Sequence, residues 1–260
     1  MLIEAFTAIA RQPPHPAEVE PWQKSLPALS KVLRDSVFED SPIFVGLFMP
    51  LTNHRCDALL RGRNRQGEDA AVLIELKQWS GLSKSHLPEH VHVGGRASLH
   101  PSVQVEGYAD SLLHFHSAFT GDATAFELSA CAYLHNMKRA AGDAAHLLDT
   151  GVFGSALLRC PLFFAGEADA LARFIAQRVG SGSGARAAAR SQAGRPLPSP
   201  KLLDLLVQTV QGAHQWRLLG EQRTAYWKIR QGVQEAKDRG ERRVVIVRGG
   251  PGTGKSVLAV

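Results

Sequence analysis

The chain has 260 residues, of which 44% are apolar and 21% charged, and this composition suits a folded globular protein rather than a disordered one or a coiled coil. No run of about 18 apolar residues suggests a membrane span. The three cysteines form no CxxC pair, and the formal net charge is +6. These features argue against a disulfide framework or a structural zinc site and predict a soluble, cytoplasmic protein.

The first elements in chain order are a helix and three strands. Apolar residues recur at helical spacing over 18–33, which predicts an amphipathic helix. A short apolar run over 41–50 predicts a buried strand. Two further strand-like runs, 55–60 and 70–78, flank a segment of Asn, Gly and charged residues, which predicts a β-hairpin.

The mixed pattern continues up to residue 179. Apolar residues spaced three and four apart over 101–119 predict a helix, and 126–137 is compatible with a strand. A short strand after Pro161 leads into a helix from about residue 168 to residue 179. We therefore predict an α/β core over 1–179.

A change of composition marks the end of this core. Residues 180–200 are rich in Gly, Ser, Ala and Pro, which predicts a flexible basic linker. Between residues 170 and 203 the sequence has six Arg and Lys but no Asp or Glu. Such a stretch can neutralise nucleic-acid phosphates, or it can be a solvated connection. Beyond it we predict helices over 201–212 and 220–239 and a strand over 242–248.

The segment 201–260 ends in a full match to the phosphate-binding motif G-x-x-x-x-G-K-[ST]. The matching residues are Gly249, Gly250, Pro251, Gly252, Thr253, Gly254, Lys255 and Ser256. Backbone N–H groups would surround a β-phosphate, Lys255 would reach the β- and γ-phosphates, and Ser256 would bind the Mg²⁺ of a nucleotide. The motif predicts ATP binding at the start of a P-loop ATPase domain.

Gln222 lies about one helix before this loop, a position that resembles the adenine-reading glutamine of superfamily 1 and 2 helicases. The alternative is an exposed helix residue. ATP hydrolysis also needs an acidic residue on a second strand and an arginine finger, and neither follows the loop here. We therefore expect no ATP turnover by this chain, and we expect the other half of the ATPase in cis or in an adjacent reading frame.

An acidic constellation on the hairpin predicts different chemistry. Side chains alternate along a strand, so Glu75 and Lys77 share one face while Leu76 faces the other, and the hairpin brings Asp57 beside them. Asp57, Glu75 and the backbone carbonyl of Leu76 would hold Mg²⁺ or Mn²⁺. Lys77 would orient a water molecule or stabilise a scissile phosphate.

Gln104 and Tyr108 lie one helical turn apart on the following helix, where both could brace the metal site or a DNA phosphate. This Q-x-x-x-Y spacing, together with the Asp57 and Glu75-Leu76-Lys77 pattern, resembles the RecB-like branch of the PD-(D/E)xK nuclease superfamily. The resemblance implies a restriction-endonuclease-like core with a mixed central sheet flanked by helices. Cys56 departs from the family pattern, which often has proline before the aspartate.

The order of motifs extends the resemblance along the chain. IELKQW, QxxxY, CAYLHN, PSPKLL, GEQ and VVIVRGGPGTGKS follow one another as in bacterial proteins that fuse a RecB-like nuclease domain to a Schlafen-like (group 3) P-loop ATPase/helicase domain. This similarity implies metal-dependent cleavage of nucleic acid, DNA more than RNA, coupled to an ATP-dependent helicase or translocase. Two alternatives stay open: an inactive nuclease fold that binds nucleic acid or regulates the ATPase, and a nucleotide-binding switch acting alone.

Three weaker expectations concern the surroundings of this constellation. Glu18 or Glu20 would add a carboxylate from the first helix, although a solvated helix face is the alternative. The histidine-rich segment 84–100 has irregular ligand spacing, which favours a mobile loop facing the substrate over a zinc site. Trp79 is expected to pack beside the strand that carries Lys77.

Overall fold

The computed structural model describes residues 16–34, 36–50, 54–120, 126–139, 147–149, 151–197, 218, 221–250, 254–255 and 258. The strands are β1 (Ile43–Phe48), β2 (Arg55–Arg63), β3 (Asp69–Lys77), β4 (Ser83–Lys84), β5 (His90–Val93), β6 (Arg96–Leu99), β7 (Glu127–Leu134) and β8 (Leu162–Phe164). The α-helices are α1 (Pro16–Val32), α2 (Pro101–Phe115), α3 (Gly154–Arg159), α4 (Ala168–Val179), α5 (Ala185–Ala193) and α6 (Glu221–Arg239). Short 3₁₀ turns lie at Ser36–Phe38 and Gly151–Phe153. None of the described helices is long and apolar enough to cross a membrane.

A five-stranded mixed sheet in the order β1, β2, β3, β7, β8 forms the centre of the molecule. The first three strands pair antiparallel, whereas β3 with β7 and β7 with β8 pair parallel. A parallel pair needs a crossover connection, and α2 supplies the one between β3 and β7. The predicted α/β class, with a mixed sheet flanked by helices, is confirmed.

The turn of the central hairpin is explained by one side chain. Asn64 Oδ1 accepts hydrogen bonds from the backbone N–H groups of Gln66 and Glu68, at 3.0 and 2.9 Å. Gly67 adopts φ +77°, a value that favours glycine. The predicted hairpin is therefore confirmed, and its local turn fixes the register of β2 against β3.

Helices cover both faces of the sheet, so every residue of β3 except the last is buried. One face packs on α1 and α4, and its buried residues include Val72, Ile74, Leu76, Leu29, Leu171 and Ile175. The other face packs on α2 and α5, and its buried residues include Leu59, Leu73, Val105, Leu112 and Ala187. This second face also carries Glu75 and Lys77, so the candidate site faces α2.

The prediction of a flexible linker over 180–200 was wrong for its central part. Helix α5 packs on the sheet with Ala187 buried. The side chain of Asp69 is 0% exposed and accepts hydrogen bonds from Arg186 Nε at 2.9 Å and Arg190 Nη1 at 2.6 Å. A buried carboxylate needs such partners, so two of the basic residues fasten α5 to the core.

The histidine-rich segment 84–100 was predicted to be a mobile loop, and this was also wrong. It forms most of a three-stranded antiparallel sheet in the order β4, β5, β6. Gly94 and Gly95, at φ +55° and +77°, make the tight turn between β5 and β6. His90 and His100 are buried at 3% and 0% exposure, so they belong to the packing of this unit.

The carboxyl-terminal elements agree with the prediction in one part only. Helix α6 matches the predicted helix over 220–239. The predicted strand over 242–248, the first strand of a P-loop fold, was wrong, because residues 241–250 are described and form no strand. Val244 and Ile246 are 86% and 73% exposed. A strand needs a hydrogen-bonded neighbour, and none is present in the described part of the chain. The predicted helix over 201–212 lies outside the described residues.

Candidate functional site

The candidate site lies where β2 and β3 separate. The last residue pair in their register is Ala58 with Ile74. Asp57, next along β2, places its Oδ2 atom 2.7 Å from the backbone nitrogen of Leu76. The carboxylate therefore accepts the N–H that the separating strands leave without a ladder partner, and this bond holds Asp57 beside the end of β3.

Glu75, Lys77 and Gln104 form a closed ring of hydrogen bonds. Lys77 Nζ lies 2.7 Å from Glu75 Oε1 and 2.8 Å from Gln104 Oε1. Gln104 Nε2 donates to the same Glu75 oxygen at 2.8 Å and lies 2.8 Å from the hydroxyl of Tyr108. The ring fixes which end of the Gln104 amide faces which partner. The structure thus brings these four predicted residues together at the end of β3.

The second carboxylate oxygen of Glu75, Oε2, takes no part in this ring. Glu75 is 4% exposed, and its Oε2 atom is buried with no hydrogen-bond partner among the described residues. A buried carboxylate oxygen without a donor is costly, because the group has lost its water without compensation. A cation bound beside Oε2 would provide that compensation.

The pKa of Asp57 also indicates a site that would favour a bound cation. Burial, followed by the negative charge of Glu75, raises the pKa of Asp57 from 3.8 to about 7, while the Leu76 N–H and Lys77 act against the shift. Burial and the same two carboxylates raise the pKa of the Cys56 thiol. Burial and the charge of Glu75 raise the pKa of Tyr108. The site therefore concentrates negative charge in a desolvated position, an environment that favours a cation.

The ligands that the site offers are all oxygen atoms. No group of three or more His, Cys, Asp and Glu residues suited to a metal occurs among the described residues. Asp57, Glu75 and the Leu76 carbonyl would leave several positions to water, which is how Mg²⁺ is usually bound. This set fits Mg²⁺ or Mn²⁺ better than Zn²⁺, which prefers nitrogen and sulfur ligands. Glu18 and Glu20 belong to α1, but their side chains lie outside the described part of the structure.

Two histidines of the 84–100 segment, His90 and His100, have hydrogen-bond partners within the fold. His90 Nδ1 lies 2.7 Å from the Pro88 carbonyl, and its Nε2 lies 2.9 Å from the Thr224 hydroxyl. His100 Nε2 lies 3.0 Å from the Leu148 carbonyl, and burial lowers the pKa of this histidine to about 4. Both imidazoles are therefore used in packing and hydrogen bonding within the fold.

The glycine loop is described only in part. Gly249, Gly250, Gly254 and Lys255 are described, whereas Pro251, Gly252, Thr253 and Ser256 lie outside the described residues. Lys255 Nζ donates to the carbonyl oxygens of Gly249 and Gly250 at 2.8 and 2.6 Å. A Cβ placed on Gly254 would lie 2.4 Å from Gln222 Nε2. Gln222 therefore lies against the described part of the loop.

Sequence reasoning missed a polar cluster at the same edge of the sheet, on the face that α1 covers. Gln78 Nε2 donates to Ser25 Oγ at 3.0 Å, and His135 Nε2 lies 3.1 Å from the same oxygen. Gln78 and His135 directly follow the parallel strands β3 and β7. Residues after the carboxyl ends of neighbouring parallel strands commonly line ligand sites, and this position is the signal that could have identified them. Trp79 packs nearby, with its ring 5.5 Å from Lys77 Nζ.

Comparison with family models, curated proteins and solved structures found no match for this chain. The function must therefore be inferred from the geometry of the site and from the chemistry of its residues.

Proposed function

We propose that this chain is a metal-dependent nuclease of the PD-(D/E)xK type that hydrolyses phosphodiester bonds in nucleic acid. The observation that carries the proposal is the convergence of two carboxylates and an amine at the point where β2 and β3 separate. Asp57 is held there by the Leu76 N–H, and Glu75 and Lys77 are 2.7 Å apart on the same face.

The order of elements supports the same interpretation. A helix precedes a three-stranded antiparallel meander, and a second helix then leads to a parallel strand beside the third one. This arrangement is compatible with the mixed central sheet flanked by helices that the resemblance implies, and it carries Asp57 and Glu75 on the second and third strands. Helix α2 also presents Gln104 and Tyr108 to the pair, as the RecB-like branch implies.

The residues present fit a divalent cation. Glu75 Oε2 lacks a hydrogen-bond partner among the described residues, and the pKa of Asp57 is raised by burial and by Glu75, so a cation would stabilise both ionised carboxylates. Bound Mg²⁺ or Mn²⁺ would supply an activated water and neutralise charge on the phosphate.

The protein's own residues would orient the reacting groups. The ammonium of Lys77 is held between Glu75 and Gln104, so its direction is fixed before a substrate arrives. A fixed positive charge of this kind can hold the attacking water or a non-bridging phosphate oxygen. Gln104 and Tyr108 would act through Lys77 and Glu75 by fixing their positions.

Nucleic acid is the substrate class that the net charge of +6 favours, and we propose DNA more than RNA. We propose further that the glycine loop binds ATP and that cleavage is coupled to an ATP-dependent helicase or translocase. The contact between Gln222 and Gly254 supports this second proposal. The alternative is an inactive nuclease fold that only binds nucleic acid or regulates the ATPase.

Cleavage assays with matched variants test the nuclease proposal. Single- and double-stranded DNA and RNA are incubated with the chain in Mg²⁺, Mn²⁺ or EDTA. Glu75→Gln and Lys77→Met should each lower kcat at least about 100-fold, because each removes a charge from the reacting centre. Lys31→Met, which changes an exposed lysine in the last turn of α1, serves as the control and should leave kcat unchanged.

Two outcomes would contradict the proposal. Cleavage that persists in both Glu75→Gln and Lys77→Met would come from another site or a contaminant. Tight binding to nucleic acid without cleavage under any divalent metal would instead favour the inactive binding domain. Calorimetry with ATP, comparing the chain with Lys255→Ala, tests nucleotide binding separately.

A further inference from the structure

Helix α6 is fastened to the small sheet through Glu89. Arg223 Nε donates to Glu89 Oε2 at 2.8 Å, and a second guanidinium nitrogen of Arg223 contacts the other carboxylate oxygen. Trp227 Nε1 donates to Glu89 Oε2 at 3.1 Å. The hydroxyl of Thr224, one residue after Arg223, lies 2.9 Å from His90. We call the contact of Arg223 and Trp227 with Glu89 the Glu89 clamp.

The clamp grips a residue with an unusual backbone conformation. Glu89 is the only non-glycine residue with positive φ among the described residues, at φ +64°. A side chain rarely adopts this region, and holding it there costs about 1 kcal/mol or more. The bidentate arginine contact is a charge-assisted pair that can offset such a cost. Without the arginine contact, we expect this strained turn to rearrange.

A continuous set of backbone hydrogen bonds leads from Glu89 to the candidate site. The Glu89 carbonyl accepts from the His100 N–H at 2.8 Å. His100 caps α2, because its Nδ1 atom accepts from the Ser102 N–H at 3.2 Å. The His100 carbonyl in turn accepts from the Gln104 N–H at 2.9 Å. Gln104 is the residue whose amide holds Lys77 and Glu75.

A second contact reaches the same helix directly. Arg223 Nη1 lies 3.9 Å from Glu106 Oε2, and Glu106 is placed between Gln104 and Tyr108 on α2. The guanidinium therefore faces both the turn that precedes the small sheet's second strand and the first turns of α2.

We propose that Arg223 is a positioning residue for the candidate site, acting through Glu89 and His100 to set the first turns of α2 and hence Gln104. Its effect on cleavage rests on the proposed nuclease function, whereas its effect on the order of α2 does not. Because the adjacent Gln222 lies against Gly254, the same helix connects the glycine loop to the candidate site.

Amide hydrogen exchange on the whole chain, with cleavage kinetics beside it, tests this positioning role. Arg223→Ala should speed exchange of the His100 and Gln104 amides about tenfold, because a charge-assisted clamp that holds their turn is lost. It should also lower kcat about tenfold with KM little changed. Arg239→Ala, an exposed arginine in the last turn of α6, is the matched control and should change neither quantity. Unchanged exchange and kcat in Arg223→Ala would overturn the proposal.

Glu89 variants keep the test decisive if Arg223→Ala lowers overall stability. Glu89→Gly suits φ +64° and removes the carboxylate, and Glu89→Gln removes only the charge. Glu89→Gln, which keeps the strained φ, should raise exchange at His100 and Gln104, whereas Glu89→Gly, which also removes the strain, should raise it less. Adding Arg223→Ala to Glu89→Gly should produce little further change. Additive effects in the double variant would show that Arg223 acts elsewhere. If the unmodified chain cleaves no nucleic acid, the nuclease proposal fails, and the exchange results still decide the positioning role.

Discussion

The pH dependence of stability gives the most direct physical test of the acidic site. Asp57→Asn removes the ionisable group but keeps an oxygen that can accept the Leu76 N–H, so the local hydrogen bond survives. In the unmodified chain, burial and the charge of Glu75 raise the pKa of Asp57 from 3.8 to about 7. The folded state therefore keeps this proton to higher pH than the unfolded state does.

The sign and size of the effect follow from proton linkage. Because the folded-state pKa is raised, this group's contribution is most favourable at low pH and is lost as pH rises through the two pKa values. With values of 3.8 and about 7, the free energy of unfolding should fall by about 3 kcal/mol between pH 5 and pH 8 on account of Asp57. Mg²⁺ should offset much of this loss, because a cation favours the ionised carboxylate.

Urea unfolding at half-unit intervals from pH 5 to pH 8, in EDTA and then in Mg²⁺, measures this term. In EDTA, the unmodified chain should lose stability relative to Asp57→Asn as pH rises. In Mg²⁺, this relative loss should be smaller at each pH. Glu241→Gln, which changes an exposed carboxylate, controls for general effects of charge. If Asp57→Asn and the unmodified chain lose stability in parallel between pH 5 and pH 8, the reasoning about this site is wrong.

Three further predictions concern the fold. Gly62→Ala should destabilise by about 3 kcal/mol, because its Cβ would lie 2.0 Å from the Val179 carbonyl oxygen, whereas Gly81→Ala, with open space around it, should leave Tm nearly unchanged. Replacing both Arg186 and Arg190 by Ala should cost about 3 kcal/mol in urea unfolding, since the charge of Asp69 would stay buried without partners; a change below 1 kcal/mol would contradict the role given to this pair. Ile246→Ser should change the unfolding free energy by less than about 0.5 kcal/mol, since this residue is 73% exposed, and a larger loss would show that 242–248 packs as a strand after all.

Local patterns were enough to predict the central hairpin and the placement of its site residues. The apolar run of β3, the turn around Asn64 and the alternation of side chains together place Glu75 and Lys77 on one face. The spacing of Gln104 and Tyr108 on a helix places both toward the same side. Each of these inferences needs only neighbours within one element, or across one tight turn, so sequence alone could supply them.

The attachment of α5 could not be inferred in the same way. Its sequence, ARAAARSQA, has few large apolar residues, and composition alone therefore favours a linker. The helix is held by Asp69, more than 110 positions earlier in the chain, whose carboxylate meets Arg186 and Arg190. That pairing depends on where β3 begins within the folded sheet, which no pattern near residue 185 can report.

The carboxyl-terminal segment shows the same distinction between structure set within one element and structure that needs a distant partner. Helix α6 forms its hydrogen bonds within itself, so periodicity predicted it correctly. The apolar residues 244–247 have strong strand preference, yet a strand exists only beside another strand, and the described structure offers none there. The Glu89 clamp is a third case, because it depends on a residue held at φ +64° that sequence preference argues against. The Glu89 clamp is the contact through which α6 would link the glycine loop to the candidate site. Sequence patterns could not predict it, so only the folded structure reveals it.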